Sequence, residues 1–265
     1  MSVIDFLGFL GAFIIGTVLG LIGGGGSILT VPLLVYLLGY NPVVATAYSL
    51  FVVGTSSIFG VYKKHKKKLV DFKTGLAFSF PSFLAVYFTR RYLVPNIPEE
   101  VFNLNGYIIT KEIAIMVFFA IVMLAASTSM IKEKKNTTQT FIKQVYYKTF
   151  IQGLVIGVIT GLIGAGGGFL YVPALVLWAG LSMKNAVGTS LVIIAINSII
   201  GFLGDLHALN TDWVFLLTFS GLTILGVFLG DYLSKYISNK KLKKGFGWFI
   251  MVMAIYIMIK EFTQG

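Results

Sequence analysis

The amino-acid sequence predicts an all-α polytopic membrane protein. It has two inverted repeats, each with five apolar segments and one glycine-broken helix. Three observations carry this reading: an apolar composition, an ungapped internal repeat, and basic residues concentrated in a few loops.

Of the 265 residues, 57% are hydrophobic and only 12% charged, whereas soluble domains average roughly 25% charged. So apolar a chain cannot cover a water-facing surface, so most of it faces lipid. Its length allows about ten segments of roughly 20 apolar residues plus loops. There is no cysteine, which excludes disulfides and thiolate metal sites. His65 and His207 fall in polar loops and read as solvated. The start, Met1-Ser2-Val3-Ile4-Asp5, lacks the basic region of a signal peptide and reads as the beginning of the first membrane helix.

Self-comparison gives the strongest signal. The stretch Gly20-Leu21-Ile22-Gly23-Gly24-Gly25-Gly26-Ser27-Ile28-Leu29-Thr30-Val31-Pro32 recurs, 141 positions on, as Gly161-Leu162-Ile163-Gly164-Ala165-Gly166-Gly167-Gly168-Phe169-Leu170-Tyr171-Val172-Pro173. The register holds beyond the motif, pairing Ser49 with Ser190, Ser57 with Ser198, Gly60 with Gly201 and Asp71 with Asp212. Positions 16 to 86 contain 25 identities in 71. General hydrophobicity does not place Gly, Pro, Ser and Asp in one ungapped register.

Five apolar segments fall in each half, at about 3–22, 27–39, 42–62, 72–93 and 112–131, then 143–163, 168–180, 184–203, 213–234 and 245–262. The second of each set is short for a crossing and suits a half-helix or re-entrant arm. Residues 1–131 thus form a first membrane repeat, 132–142 a cytoplasmic linker and 143–265 a second, inverted repeat. Sixteen of the 21 Lys and Arg lie in three loops, 63–73, 132–148 and 235–244. The loop at 62–68 is strongly basic, whereas its counterpart at 203–209 is slightly acidic. Basic short loops stay in the cytoplasm, so equivalent points of the halves lie on opposite sides of the membrane. The sequence leaves open ten crossings or six crossings plus two re-entrant pairs. Inverted repeats are a transporter architecture, with the substrate site near the midplane.

Glycine costs about 1 kcal/mol against alanine in a helix, so each glycine run predicts a helix break at membrane depth. Non-helical backbone survives there only when buried in protein or facing a water-filled cavity. The helix is expected to resume near Ser27 and near Gly168. Its first N–H groups lack intrahelical partners and carry the positive end of the helix dipole. Two such ends brought together form an anion site without a charged side chain. The candidate substrate-binding residues are therefore Gly24, Gly25, Gly26 and Ser27, with Ala165, Gly166, Gly167 and Gly168. Close helix packing is the competing use of these small residues. Neither run ends in the Lys-Ser/Thr of a phosphate loop.

Ser49, Ser57, Ser190, Asn197 and Ser198 on the third segments complete the candidate site. Hydroxyls and an amide can donate to an oxyanion, although Ser and Thr also bond back to their own helix. Asp71, Asp205, Asp212, Asp231 and Glu261 all fall near segment ends. No midplane carboxylate marks a proton or sodium relay. The sequence shows no catalytic constellation, metal cluster or cofactor motif, and no basic–aromatic interleaving for nucleic acid. The expected partners are a small anionic substrate, the lipid bilayer and possible further copies of the chain.

At the paired stretches Gly20–Pro32 and Gly161–Pro173, and at the following Ala45-Thr46-Ala47-Tyr48-Ser49 and Ala186-Val187-Gly188-Thr189-Ser190, the chain resembles the sulfite exporter TauE/SafE family of membrane permeases. The resemblance covers nearly the whole chain. It implies a non-enzymatic, multi-pass protein of the cytoplasmic membrane that passes sulfite or organosulfonates, with export as the expected direction. Ser27 against Gly168 and Ser56 against Asn197 are departures between the halves that imply an asymmetric site.

Overall fold

In a computed structural model, residues 3–104, 107–131, 146–164, 166–206 and 211–264 are described. The linker 132–142 and His207 lie outside them. Ten α-helices follow in order: α1 Val3–Ile22, α2 Gly25–Pro32, α3 Pro42–Lys66, α4 Phe72–Phe88, α5 Lys111–Ile131, α6 Tyr146–Ile163, α7 Gly168–Leu177, α8 Met183–Asp205, α9 Trp213–Leu233 and α10 Asn239–Gln264. Helix α2 continues as a π-helical segment, Leu33–Leu37, and α4 as another, Thr89–Leu93. The 95–111 connection contains a small antiparallel hairpin, β1 Glu100–Leu104 with β2 Tyr107–Thr110.

The repeat identities have local causes. Asp71 and Asp212 are the N-caps of α4 and α9, accepting from Thr74 N at 3.1 Å and Phe215 N at 3.0 Å. Asn41 and Ser182, also 141 apart, cap α3 and α8 and accept from Val43 N at 2.9 Å and Asn185 N at 3.3 Å. Each cap satisfies an N–H that the helix start leaves open. Pro42 occupies the first helical position of α3, where its missing donor costs nothing.

Among the described residues, five helices are long and apolar enough to cross a membrane: Pro42–Lys66, Lys111–Thr128, Met183–Asp205, Trp213–Tyr236 and Lys240–Glu261. Helix α4, with 17 residues and 5 more in its π-helical continuation, makes a sixth rod of comparable length. Large apolar side chains face outward, among them Phe80, Ile121, Leu217 and Ile259. Such a surface suits lipid rather than water.

Helices α1 and α2 fold back on each other. Gly8 faces Leu38, Gly11 faces Leu33, and Gly26 lies against Ile15 and Leu19. The pairs run in opposite sequence directions, so the two helices form an antiparallel hairpin whose ends lie at one level.

Contacts between the halves come in reciprocal pairs. Gly16 packs on the backbone of Thr223, and its repeat mate Gly157 on that of Ser82, the mate of Thr223. Gly20 meets Val227 while Gly161 meets Val86, and Gly60 meets Leu191 while Gly201 meets Leu50. Glycines at these crossings let backbones approach closely, which bears out the packing reading for this part of the pattern. Helices α3 and α8 cross antiparallel at the centre, Gly54 against Ser198 and Ile199. Their C-terminal ends therefore lie at opposite ends of the molecule.

Candidate functional site at the paired helix breaks

Between α1 and α2 the chain needs only Gly23 and Gly24 to reverse, with Gly23 at φ 77°. The second break is longer, because Gly164, Gly166 and Gly167 all adopt positive φ, at 68°, 65° and 67°. That is a region where a Cβ is strained. The helix resumes at Gly168 as expected, but at Gly25 rather than near Ser27 in the first half. One left-handed residue completes the first turn, where three are used in the second.

The two resumed helices start against each other. A methyl group on Gly24 would run into the backbone of Gly168, and one on Gly168 would run into Gly24. Neither α2 nor α7 has a side-chain cap at its N-terminus. The candidate residues divide around this contact. Gly25, Gly26 and Ser27 form the first turn of α2. Gly26 is packed on α1, where an added Cβ would lie 2.6 Å from the Leu19 side chain. Gly167 packs against Thr160 and Tyr171, and its carbonyl accepts from Leu170 N and Tyr171 N at 2.9 and 3.0 Å. Ala165 lies outside the described residues.

Hydroxyls from α3 and α8 approach the breaks. A Cβ on Gly166 would lie 2.9 Å from Ser198 Oγ, and one on Gly23 would lie 3.0 Å from Ser190 Oγ. Ser190 donates back to Val187 O at 2.9 Å, the ordinary helix back-bond. By contrast, Ser49, Ser56, Ser57 and Ser198 are fully buried, and none of their Oγ atoms has a hydrogen-bond partner among the described residues. An unsatisfied buried polar group costs about 1–3 kcal/mol, so a run of them in one core region asks for a reason.

Asn197 has a different place from a free donor. Its Nδ2 donates to Ser82 Oγ at 2.8 Å and to Tyr171 Oη at 2.7 Å, and the Ser82 and Tyr171 hydroxyls also bond each other. Only Asn197 Oδ1, an acceptor, is left unpartnered. The repeat mates of this trio are Ser56, Thr223 and Thr30. Thr30 and Thr223 bond back to their own helices, to Gly26 O and Phe219 O. The asymmetry expected at position 197 is thus a polar network on one side only.

Sequence reasoning missed a buried cation. Arg90, in the π-helical turn after α4, is 1% exposed. Its Nε and Nη2 donate to Asp205 Oδ2 at 2.7 and 2.5 Å, and Nη1 to Thr46 Oγ1 at 3.0 Å and Gly161 O at 3.4 Å. Thr46 in turn packs against Gly164, which links this ion pair to the second break. A cavity of about 430 Å³, lined by Asn41, Val94, Lys111, Arg90 and Asp205 among others, opens above it. Among the described residues no group of His, Cys, Asp and Glu could hold a metal ion.

The family model described as Sulfite exporter TauE/SafE matches residues 8–257. Similar curated proteins include a "Probable membrane transporter protein" of Xylella fastidiosa, 27% identical over 95% of this chain and 94% of its own. Another is "Probable membrane transporter protein YunE" of Bacillus subtilis, 29% identical over 93% of this chain and 92% of its own. "Probable membrane transporter protein MJ0441" of Methanocaldococcus jannaschii is 25% identical over 93% and 92%. No solved structure matches the chain.

Proposed function

Because this chain belongs to the sulfite exporter TauE/SafE family of membrane transporters, we propose that it is a permease carrying sulfite or an organosulfonate out of the cell across the cytoplasmic membrane. The observation that carries this reading is the meeting of two helix N-termini at Gly24 and Gly168, neither with a side-chain cap, in a core that also holds hydroxyls with no hydrogen-bond partner among the described residues.

Helix N-termini favour negative charge because their N–H groups point outward and the dipole is positive there. In this reading the amides of the first turns of α2 and α7 hold the anion near the midplane. Ser198 and Ser190 approach from the glycine side, and Ser49 and Ser57 supply further donors. The reciprocal contacts of the halves support an inverted pair of repeats, which rock against each other to open the site to one face at a time. With the cell interior negative, export of an anion is favoured by about 2.3 kcal/mol per charge per 100 mV. The basic loops at 63–73 and 235–244 lie in the cytoplasm, with ten crossings and with six crossings plus two re-entrant pairs alike.

Sulfite flux in proteoliposomes tests the proposal. Wild-type protein should accelerate sulfite or sulfonate equilibration, and bulky residues at both Gly25 and Gly166 should abolish it. Unchanged flux in that double variant overturns the site, and no flux of any sulfur oxyanion by wild type overturns the function.

A further inference from the structure

The fold contains a second buried ion pair, at the end opposite the first. Lys64 Nζ lies 3.1 Å from Asp231 Oδ1, with both side chains buried, and the half-buried Lys67 reaches Asp231 Oδ2 at 2.6 Å. The pairs are related by the repeat. Lys64 and Asp205 are 141 positions apart, and so are Asp231 and Arg90. Each position has therefore exchanged its charge: cation on α3 with anion on α9 at one end, anion on α8 with cation after α4 at the other. The surroundings are reciprocal as well. Arg90 Nη1 bonds the Gly161 carbonyl, while Gly20, the mate of Gly161, packs on the Asp231 backbone.

A buried ion pair contributes little net stability, because desolvation offsets the attraction. Keeping one at each end, with charges reversed but location preserved, fits a requirement for a cation at both. The Arg90 pair is also an imperfect match. Nε and Nη2 converge on one oxygen, Asp205 Oδ2, whereas a guanidinium fork binds best to two oxygens of one anion. The cavity over Arg90 and Asp205, lined also by Lys111 and by the carboxylates Glu99 and Glu112, leaves room for a small oxyanion to approach from that face.

We infer that Arg90 and Lys64 are the outer and inner anion stations of the permease, and that Asp205 and Asp231 are tethered anions which occupy them until the substrate takes their place. This rests on the permease reading above. An oxyanion leaving the midplane displaces Asp205 from Arg90 on the way out. On the inner face it displaces Asp231 from Lys64 on the way in. No bond is made or broken; one anion exchanges for another on each cation.

The test is the KM for radiolabelled sulfite, measured from each face in right-side-out and inverted vesicles. Asp205→Asn frees Arg90 and should lower KM three- to tenfold on the outer face alone. Asp231→Asn should do the same on the inner face alone. In the double variant Arg90→Gln/Asp205→Asn no unpaired charge is buried, so folding is preserved, and the outer KM should rise at least tenfold with the inner KM unchanged. A merely structural pair predicts an unchanged KM on both faces, with only the maximal rate falling through the amount of folded protein. KM values in the variants that stay at the wild-type value, or that shift equally on both faces, overturn the stations and leave the permease intact when wild type transports sulfite. A wild type that moves no sulfur oxyanion overturns both.

Discussion

The backbones of Gly24 and Gly168 lie in direct contact, so a side chain on either has no room. That contact is where two helices begin at the centre of the molecule, and it makes the site sensitive to a single methyl group. Gly24→Ala and Gly168→Ala should each cost about 1–3 kcal/mol by overpacking and abolish flux. Gly221→Ala, on α9 with nothing within 4 Å of an added Cβ, should leave both unchanged. Thermal unfolding in detergent and flux in proteoliposomes check the pair of outcomes.

Ser198 and Ser190 should respond differently to loss of the hydroxyl. Ser198 Oγ has no hydrogen-bond partner among the described residues, so Ser198→Ala should hold stability or raise it by about 1–3 kcal/mol while raising the KM for sulfite roughly tenfold, the worth of one hydrogen bond to an anion. Ser190→Ala gives up only a back-bond and should change KM less. Equal KM in wild type and Ser198→Ala contradicts its role as a donor.

The Asn197–Tyr171–Ser82 cluster is a buried network. Asn197→Ala should destabilise by about 1–3 kcal/mol, since it removes two buried hydrogen bonds while the Ser82 and Tyr171 hydroxyls keep only each other. In a double-mutant cycle with Tyr171→Phe the coupling should exceed about 0.5 kcal/mol. Additive effects in denaturation would show that the two side chains act independently.

Removal of one ion-pair member tests the difference between the two ends. Arg90 makes the one ion pair recorded for Asp205 among the described residues, whereas Asp231 has both Lys64 and Lys67. Arg90→Ala should therefore cost about 3–5 kcal/mol, the penalty of an uncompensated buried charge. Lys64→Ala should cost less, because Lys67 remains. The ranking of midpoint temperatures decides it.

Most of the helical framework was legible because long apolar runs and a single ungapped repeat are local properties of the chain. Asp71 and Asp212 matched in sequence before their shared role as N-caps was visible. Features set by tertiary contact were not legible. Helices α1 and α2 read as separate apolar segments, and only the contacts of α1 with Leu33 and Leu38 show that they pair. Arg90 sits at the end of an apolar segment, where charge is ordinary. Its burial depends on π-helical winding and on Asp205, 115 residues away. The β-hairpin had a signal that went unused, the Asn105-Gly106 dipeptide between its strands. The earlier start of α2, at Gly25, follows from one left-handed glycine sufficing in a run of four.

The absence of cysteine makes one measurement direct. Ser198→Cys places a single thiol beside Gly166. Labelling by a small charged, membrane-impermeant thiol reagent then reports whether water reaches the helix breaks. The account predicts labelling from either face of the membrane in transporting vesicles, slowed at least threefold by saturating sulfite. A thiol that reacts from neither face, in a variant that still folds, would mean that the paired helix starts are sealed in protein and hold no transported anion.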